Sequence, residues 1–324
     1  MCTAVTYKTA NCYFGRNLDL EYSYQETVTI TPREYIFPFR KKPAIKEHYA
    51  LIGMAYVQNN YPLYYDATNE KGLSMAGLNF PGNADYKPED PKLDNIAPFE
   101  FIPWILSQCA NIEEVKDLLK RVNLVNIAFH ESLPLTPLHW IIADKECSVT
   151  VEAVKDGLKI YDNPIGVLTN NPPFDYQMFH LNHFMSLSID EPVSDFGKHF
   201  DVEVYSRGLG ALGLPGDLSS MSRFVRAAFT KLNAVSGDSE EESISQFFHI
   251  LGAVEQQRGC VRLDGKHYEL TVYTSCCNAD RGIYYYKTYE NSQITGVDMY
   301  HEDLDGAYLY SYPIYREQQI WMQN

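Results

Sequence analysis

The chain has 324 residues, 45% of them hydrophobic and 14% aromatic, which is ample material for a large core. Its formal net charge of −15 argues against nucleic acid and anionic membranes as partners, because no basic stripe is present to displace counterions from phosphates. There is no apolar run of the roughly 20 residues needed to span a bilayer and no signal-peptide pattern; with seven scattered cysteines lacking zinc-ligand spacing, the expectation is a reduced, cytoplasmic protein.

CTAVTYKT, NCYFGRNLDL, TVTITPR and HYALIGMAYVQ are rich in Val, Ile, Thr and Tyr and separated by turn residues, so the first hundred residues are predicted to be strands. PFEFIPWILSQC predicts a helix. NIEEVKDLLKRV predicts a second, with Ile112, Val115, Leu118, Leu119 and Val122 on one face and Asn111 and Glu114 at capping-box spacing. LHWIIADKE, CSVTVEAVK and GLKIYD follow one another across short turns, which only antiparallel strands permit. After the Gly-rich GLGALGLPGD come two helices, SMSRFVRAAFTKL and EESISQFFHILGAV, and then strands YELTVYTSC, GIYYYKTYE and SQITGVDMY. Strands group with strands and helices with helices, so the fold class expected is α+β with antiparallel sheets. Without an internal repeat or linker, residues 1–324 are expected to form one domain.

The chemistry starts at Cys2. If Met1 is removed, this cysteine carries a thiol and a free α-amine on one Cα; such amines titrate at about 7.7 to 8.0 and thiols at about 8.5, so nucleophile and base are nearly matched. No catalytic histidine is then required. In YFGRNLDLEY, strand alternation sends Asn17 and Asp19 one way and Arg16 and Leu18 the other. A cation such as Arg16 favours a thiolate and a carboxylate such as Asp19 holds an amine, although the same residues also suit a surface ion pair. Two Asn-bearing loops, one with Asn79 and one with Asn170 and Asn171, offer donors for an oxyanion and are equally turn signals. Arg223 sits just inside a helix that Ser220 or Ser222 would cap, where a cation works against the macrodipole and asks for an anionic partner.

Taken in order, MCTAVTY, FGRNLDLEYSY, NEKGLSMAGLNFPG, IGVLTNNPPFDYQ, GLPGDLSSMSRF and GIYYYKTYENSQI resemble the choloylglycine hydrolase family over essentially the whole chain. The resemblance implies an N-terminal nucleophile hydrolase: an αββα sandwich of two antiparallel sheets flanked by helices. It implies Cys2 as nucleophile, Arg16 and Asp19 as its thiol-assisting and amine-orienting partners, Asn79 and Asn170 at oxyanion positions, and Arg223 as a second active-site arginine. The family pattern of TN, one residue, then Pro selects Asn170 over Asn171. It further implies hydrolysis of the amide joining a bile acid to glycine or taurine, with penicillin V or another N-acyl amide as the alternative substrate. Asn79 favours bile salts, since penicillin V acylases typically have Tyr there. By the same analogy Leu18, Phe129 and Leu133 line the substrate pocket, no metal or cofactor is needed, and the protein is a homotetramer.

Overall fold

Strand-forming sequence dominates both ends of the chain, and in the computed structural model, which describes residues 1–324, it condenses into two large antiparallel sheets. Six strands come first: β1 (Cys2–Lys8), β2 (Cys12–Leu20), β3 (Thr27–Thr31), β4 (Leu51–Gln58), β5 (Tyr61–Asn69) and β6 (Ser74–Asn79). A short parallel pair, β7 (Asp94–Ile96) and β8 (Val122–Leu124), brackets helices α1 (Phe101–Leu106) and α2 (Ile112–Leu119). Strands β9 (Leu138–Ala143), β10 (Ser148–Val154), β11 (Gly157–Asp162) and β12 (Val167–Leu168) follow, then helices α3 (Phe174–His180), α4 (Ser220–Asn233) and α5 (Glu240–Gly252). The chain ends with β13 (Val261–Arg262), β14 (Tyr268–Asn278), β15 (Ile283–Thr288), β16 (Thr295–Asp298) and β17 (Tyr310–Pro313).

One sheet runs β12-β1-β2-β14-β15-β16, with β13 beside β14; the other runs β11-β10-β9-β6-β5-β4-β3-β17. Their inner faces meet through Ala4, Phe14, Ile30, Ile52, Leu78 and Ile141, while Phe224 of α4 and Phe247 of α5 close the outer face of the first sheet. Ile105 of α1 and Val115 of α2 pack on Leu51, Met75 and Ile142 to close the outer face of the second. Helix, sheet, sheet, helix is the αββα order expected. β2 therefore has no solvent side, and its interior is buried throughout, including Arg16, Asn17 and Asp19. Charged residues occupy such positions only when they are paired or hydrogen-bonded, so Arg16 and Asp19 call for partners within the core.

Asn111 caps α2 as its spacing predicts, its side chain accepting from the Glu114 amide at 3.0 Å. Val122 departs from the helical face expected of it, because α2 ends at Leu119 and Val122 pairs with Asp94 in the β7–β8 ladder. Nor does Ser220 or Ser222 cap α4. The cap position is Ser219, while the Ser220 hydroxyl faces Thr169 and that of Ser222 donates to Asp217. Gly15 is required by close packing: a Cβ there would overlap the Ser275 carbonyl of β14.

Candidate active site

The β1–β2 register sets Cys2 opposite Leu18, Thr3 opposite Asn17 and Ala4 opposite Arg16. Directly opposed residues share a face. Cys2, Arg16 and Leu18 thus look toward the second sheet, and Thr3, Asn17 and Asp19 toward the helices, as the alternation predicts. On the inner face Arg16 crosses between sheets, its Nη1 donating to the carbonyls of Tyr65 (3.0 Å) and Gly77 (2.5 Å), while its buried Nη2 has no partner. Burial opposes the charge on this guanidinium, but the Cys2 sulfur, Tyr273, Asp66 and Asp19 outweigh it and raise its pKa further.

On the helix face Arg223 is fully buried, because the inward side of α4 also carries Phe224 and Ala227. Its Nη1 donates to the Cys2 carbonyl (2.5 Å) and the Thr3 hydroxyl (2.6 Å), its Nη2 donates to Asn170 Oδ1 (2.7 Å), and Asp19 Oδ2 lies 3.9 Å away. That carboxylate is the anion which a cation in the first turn of a helix asks for. Asp19 Oδ1 accepts from the Thr271 hydroxyl at 2.6 Å. The bulge between Thr271 and Tyr273 in β14 falls at this point, and such irregularities re-aim side chains beside sites. Burial pushes the Asp19 pKa up, against the pull of Arg223, the N-terminal ammonium and the Thr271 bond.

Between the two faces stands the Cys2 nitrogen, donating to Asn170 Oδ1 at 2.8 Å. With Met1 in place it is a peptide N–H, and it marks where the α-amine of a trimmed chain would stand. Met1 itself extends the ladder: its amine donates to the Asp19 carbonyl (2.7 Å) and pairs with the buried Glu269 carboxylate, and its carbonyl accepts from the Asp19 N–H (2.9 Å). The amine's pKa is lowered, chiefly by burial; Cys2 and Asp19 oppose that shift and the two arginines add to it.

Asn79 and Asn170 arrive from different sheets and meet. Asn170 Nδ2 donates one of its two protons to the Asn79 carbonyl at 2.7 Å, and its Oδ1 accepts from the Cys2 nitrogen. The Asn79 side chain is exposed and makes no hydrogen bond within the protein. Asn171 ties the same two loops together through Pro81 and Asn83 without reaching Cys2.

Beyond Arg16 opens a hollow of about 300 Å³, mostly apolar, whose lining includes Tyr65 and Gly77, the residues that hold the guanidinium. Phe129 and Leu133 line it, together with Leu20, Tyr24 and Tyr56. Leu18 does not, because it is buried in the core between the sheets beside Cys2. Arg40 lies over Phe99 and Phe129, 5.7 and 5.6 Å from the ring centroids, and steadies that wall. A larger hollow, about 780 Å³, lies at the far end of the β1–β2 ribbon around Lys8, Cys12, Lys145 and Lys231. None of the groups converging on Cys2 lines it, whereas the smaller hollow adjoins them through Tyr65 and Gly77, whose carbonyls hold Arg16. No group of three or more His, Cys, Asp or Glu side chains is placed to hold a metal ion.

The arrangement puts a sulfur on the face it shares with Arg16 and its own nitrogen against a buried polar cluster, which suits acyl transfer from an amide. Sequence reasoning missed Thr271, Glu269 and the buried pair His139–Glu152. Nothing in the pattern of the isolated histidines distinguishes His139, since its partners are 13 and 30 residues away.

A family model of linear amide C–N hydrolases, the choloylglycine hydrolase family, matches residues 2–312. The bile salt hydrolase/transferase of Lactiplantibacillus plantarum is 59% identical over 325 residues, covering 100% of each chain. That of Clostridium perfringens is 40% identical over 96% of each. The crystal structure of a mutant conjugated bile acid hydrolase from Clostridium perfringens matches with a TM-score of 0.93 at 38% identity, covering 100% of both chains. Penicillin V acylase from Agrobacterium tumefaciens matches with a TM-score of 0.75 at 20% identity, over 98% of this chain and 94% of that one, a likeness of fold alone.

Proposed function

The chain belongs to the choloylglycine hydrolase family and is a linear amide C–N hydrolase, and from that membership we propose how it works: as a bile salt hydrolase acting through a trimmed N-terminal Cys2. The observation that carries the reading is the meeting, at one residue, of a thiol face with Arg16 and a nitrogen face with Asn170, Asp19 and Arg223. The Cys2 sulfur attacks the amide carbonyl carbon, and its proton passes through the α-amine to the leaving nitrogen of glycine or taurine. A thioester to the bile acid remains. Water, deprotonated by the same amine, attacks it, and the thiol is restored as the acid departs.

Arg16 favours the thiolate. Arg223, with Asp19 beside it, holds Asn170, whose side-chain oxygen accepts a hydrogen bond from the nitrogen and so fixes the amine. Asn79, with an unengaged side-chain amide beside Asn170, donates to the oxyanion. The acyl group lies in the hollow walled by Phe129 and Leu133. A net charge of −15 repels an anionic substrate, but only within about 8 Å at physiological salt. Burying about 300 Å² of apolar steroid surface is worth about 7 kcal/mol before ordering costs, so apolar contact dominates affinity.

Cys2→Ala tests the nucleophile. It is expected to release no glycine or taurine from conjugated bile salts, and full turnover would overturn the mechanism. Mass measurement of active protein is expected to find Met1 absent. A second reading keeps the thioester and changes the acyl group; faster turnover of penicillin V than of taurocholate would establish it. Two further proposals concern setting. The seven free cysteines suit the reducing cytoplasm. Exposed apolar side chains at Phe179, Met185, Val193, Phe196, Tyr205 and Trp321 suit burial against further copies in a homotetramer, which light scattering would measure.

A further inference from the structure

One buried side chain touches both asparagine-bearing turns. His139, in β9, is fully buried, with Nε2 2.8 Å from the Thr169 carbonyl and Nδ1 3.0 Å from Glu152 Oε1. Its imidazole lies flat against the Phe80 ring, with centroids 4.2 Å apart and planes 5° from parallel. The Thr169 carbonyl belongs to the peptide that begins Asn170, and Phe80 follows Asn79 directly. A single ring therefore bears on the backbone of one asparagine and on the neighbour of the other.

Its hydrogen bonds also define its protons. The Thr169 carbonyl can only accept, and Glu152 Oε1 already accepts from the Phe174 N–H at 3.0 Å. A neutral imidazole has a single N–H to offer. With Nε2–H on Thr169, the pair keeps a second proton between Nδ1 and Oε1, and that proton stops the ring from rotating or changing tautomer. Glu152 lies directly across from His139 in the β9–β10 register and also receives the first amide of α3. Gln177 of α3 in turn donates to the carbonyls of Asn170 (2.5 Å) and Pro172 (2.7 Å), and Ser220 of α4 accepts from the Asn170 N–H (2.8 Å). Of the side chains that hold the turn at Asn170, His139 is the one that also stacks under the turn at Asn79.

We propose that His139, clamped by Glu152, is a positioning residue that sets Asn79 and Asn170 against Cys2 and so controls turnover without touching substrate. The inference rests on the amide-hydrolase reading above for its consequence in catalysis, but not for the proton that underlies it.

Glu152→Gln keeps the shape of the pair and removes the negative charge that retains the second proton. Turnover per titratable Cys2 thiol is expected to fall about 10- to 100-fold, the scale of a catalytic group displaced by about 1 Å, with KM within about threefold. His139→Phe, which keeps the stack on Phe80 and loses the Thr169 bond, is expected to do the same. A role confined to folding would reduce the amount of titratable protein and leave turnover per thiol unchanged. That result in a folded Glu152→Gln variant overturns the proposal, whether or not His139→Phe folds. Any amide the native enzyme cleaves serves, so failure on bile salts alone indicts the substrate reading and not this one. Proton NMR of the native protein gives an outcome independent of activity: a deshielded, exchange-protected ring proton on Nδ1 of His139 is expected, and its absence overturns the proposal.

Discussion

The two faces of the β1–β2 ribbon divide the labour of a single residue. Toward the second sheet lie the Cys2 thiol, Arg16 and the apolar hollow; toward the helices lie Thr3, Asn17, Asp19 and Arg223. Each face leaves one buried polar atom without a hydrogen bond: Arg16 Nη2 on the thiol face and Asp19 Oδ2, 3.9 Å from Arg223, on the helix face. The faces differ in what their cations hold, since Arg16 is tied to carbonyls of the opposite sheet whereas Arg223 bonds Cys2 and Thr3 themselves. A strand with period two gives one residue access to both environments, because its side chain enters one while its nitrogen stays in the ribbon.

The largest effect expected from probing this division is on the thiol face. Arg16→Met should lower turnover about 100-fold or more, by analogy with loss of a preorganised donor. It should also cost about 1 to 3 kcal/mol of stability, since the Tyr65 and Gly77 carbonyls lose their donor. If the rate of Cys2 alkylation by iodoacetamide stays unchanged in this variant, the cation does not serve the sulfur and the division fails.

An intermediate effect belongs to Asp19 and has a sign. A Cys2 amine standing where its peptide nitrogen now lies would be buried beside Arg223, and burial and a nearby cation both disfavour an ammonium, so the acid limb of the pH–rate profile should lie below the range of about 7.7 to 8.0 usual for α-amines. Activity is lost as pH falls through that limb, because the base must be neutral. Asp19 favours the charged form of the Met1 amine, and a carboxylate acts in the same sense on an amine at Cys2, so Asp19→Asn should move the limb lower still and reduce the maximal rate about tenfold. A limb that stays put or moves up would mean that the carboxylate does not address the nitrogen. The smallest effect is expected from Thr3→Val, which removes one of the bonds to Arg223: about 1 kcal/mol in thermal or urea unfolding, with turnover within about threefold. A larger fall in turnover would show the helix face to be less redundant than its bonding suggests.

Local pattern carried much of this arrangement. The strand alternation around Arg16 and Asp19, the cap at Asn111 and the antiparallel runs from Leu138 to Asp162 were all legible, because each depends on residues close in sequence. Arg223 could be singled out because a cation in the first turn of a helix is locally unfavourable. What escaped depends on distant partners. The partners that the Asn170 side chain takes, Cys2, Asn79 and Arg223, are 168, 91 and 53 residues away, beyond the reach of any local pattern. His139 and Glu152 look like ordinary members of buried strands until a stacked ring and a distant carbonyl are brought to them. Leu18, expected in the pocket wall, shares the face of Cys2 but is covered by the opposing sheet, and no periodicity distinguishes a wall from a core.

Met1 occupies a full rung of the ladder, donating to and accepting from the backbone of Asp19. Trimming that residue leaves the Asp19 N–H and C=O without their strand partner, and such groups bind water when no ligand replaces it. Maturation would then wet the mouth of the ribbon as well as free a nitrogen. Hydrogen–deuterium exchange at the Asp19 amide, slow in the precursor and fast in the ripened enzyme, would time the cut.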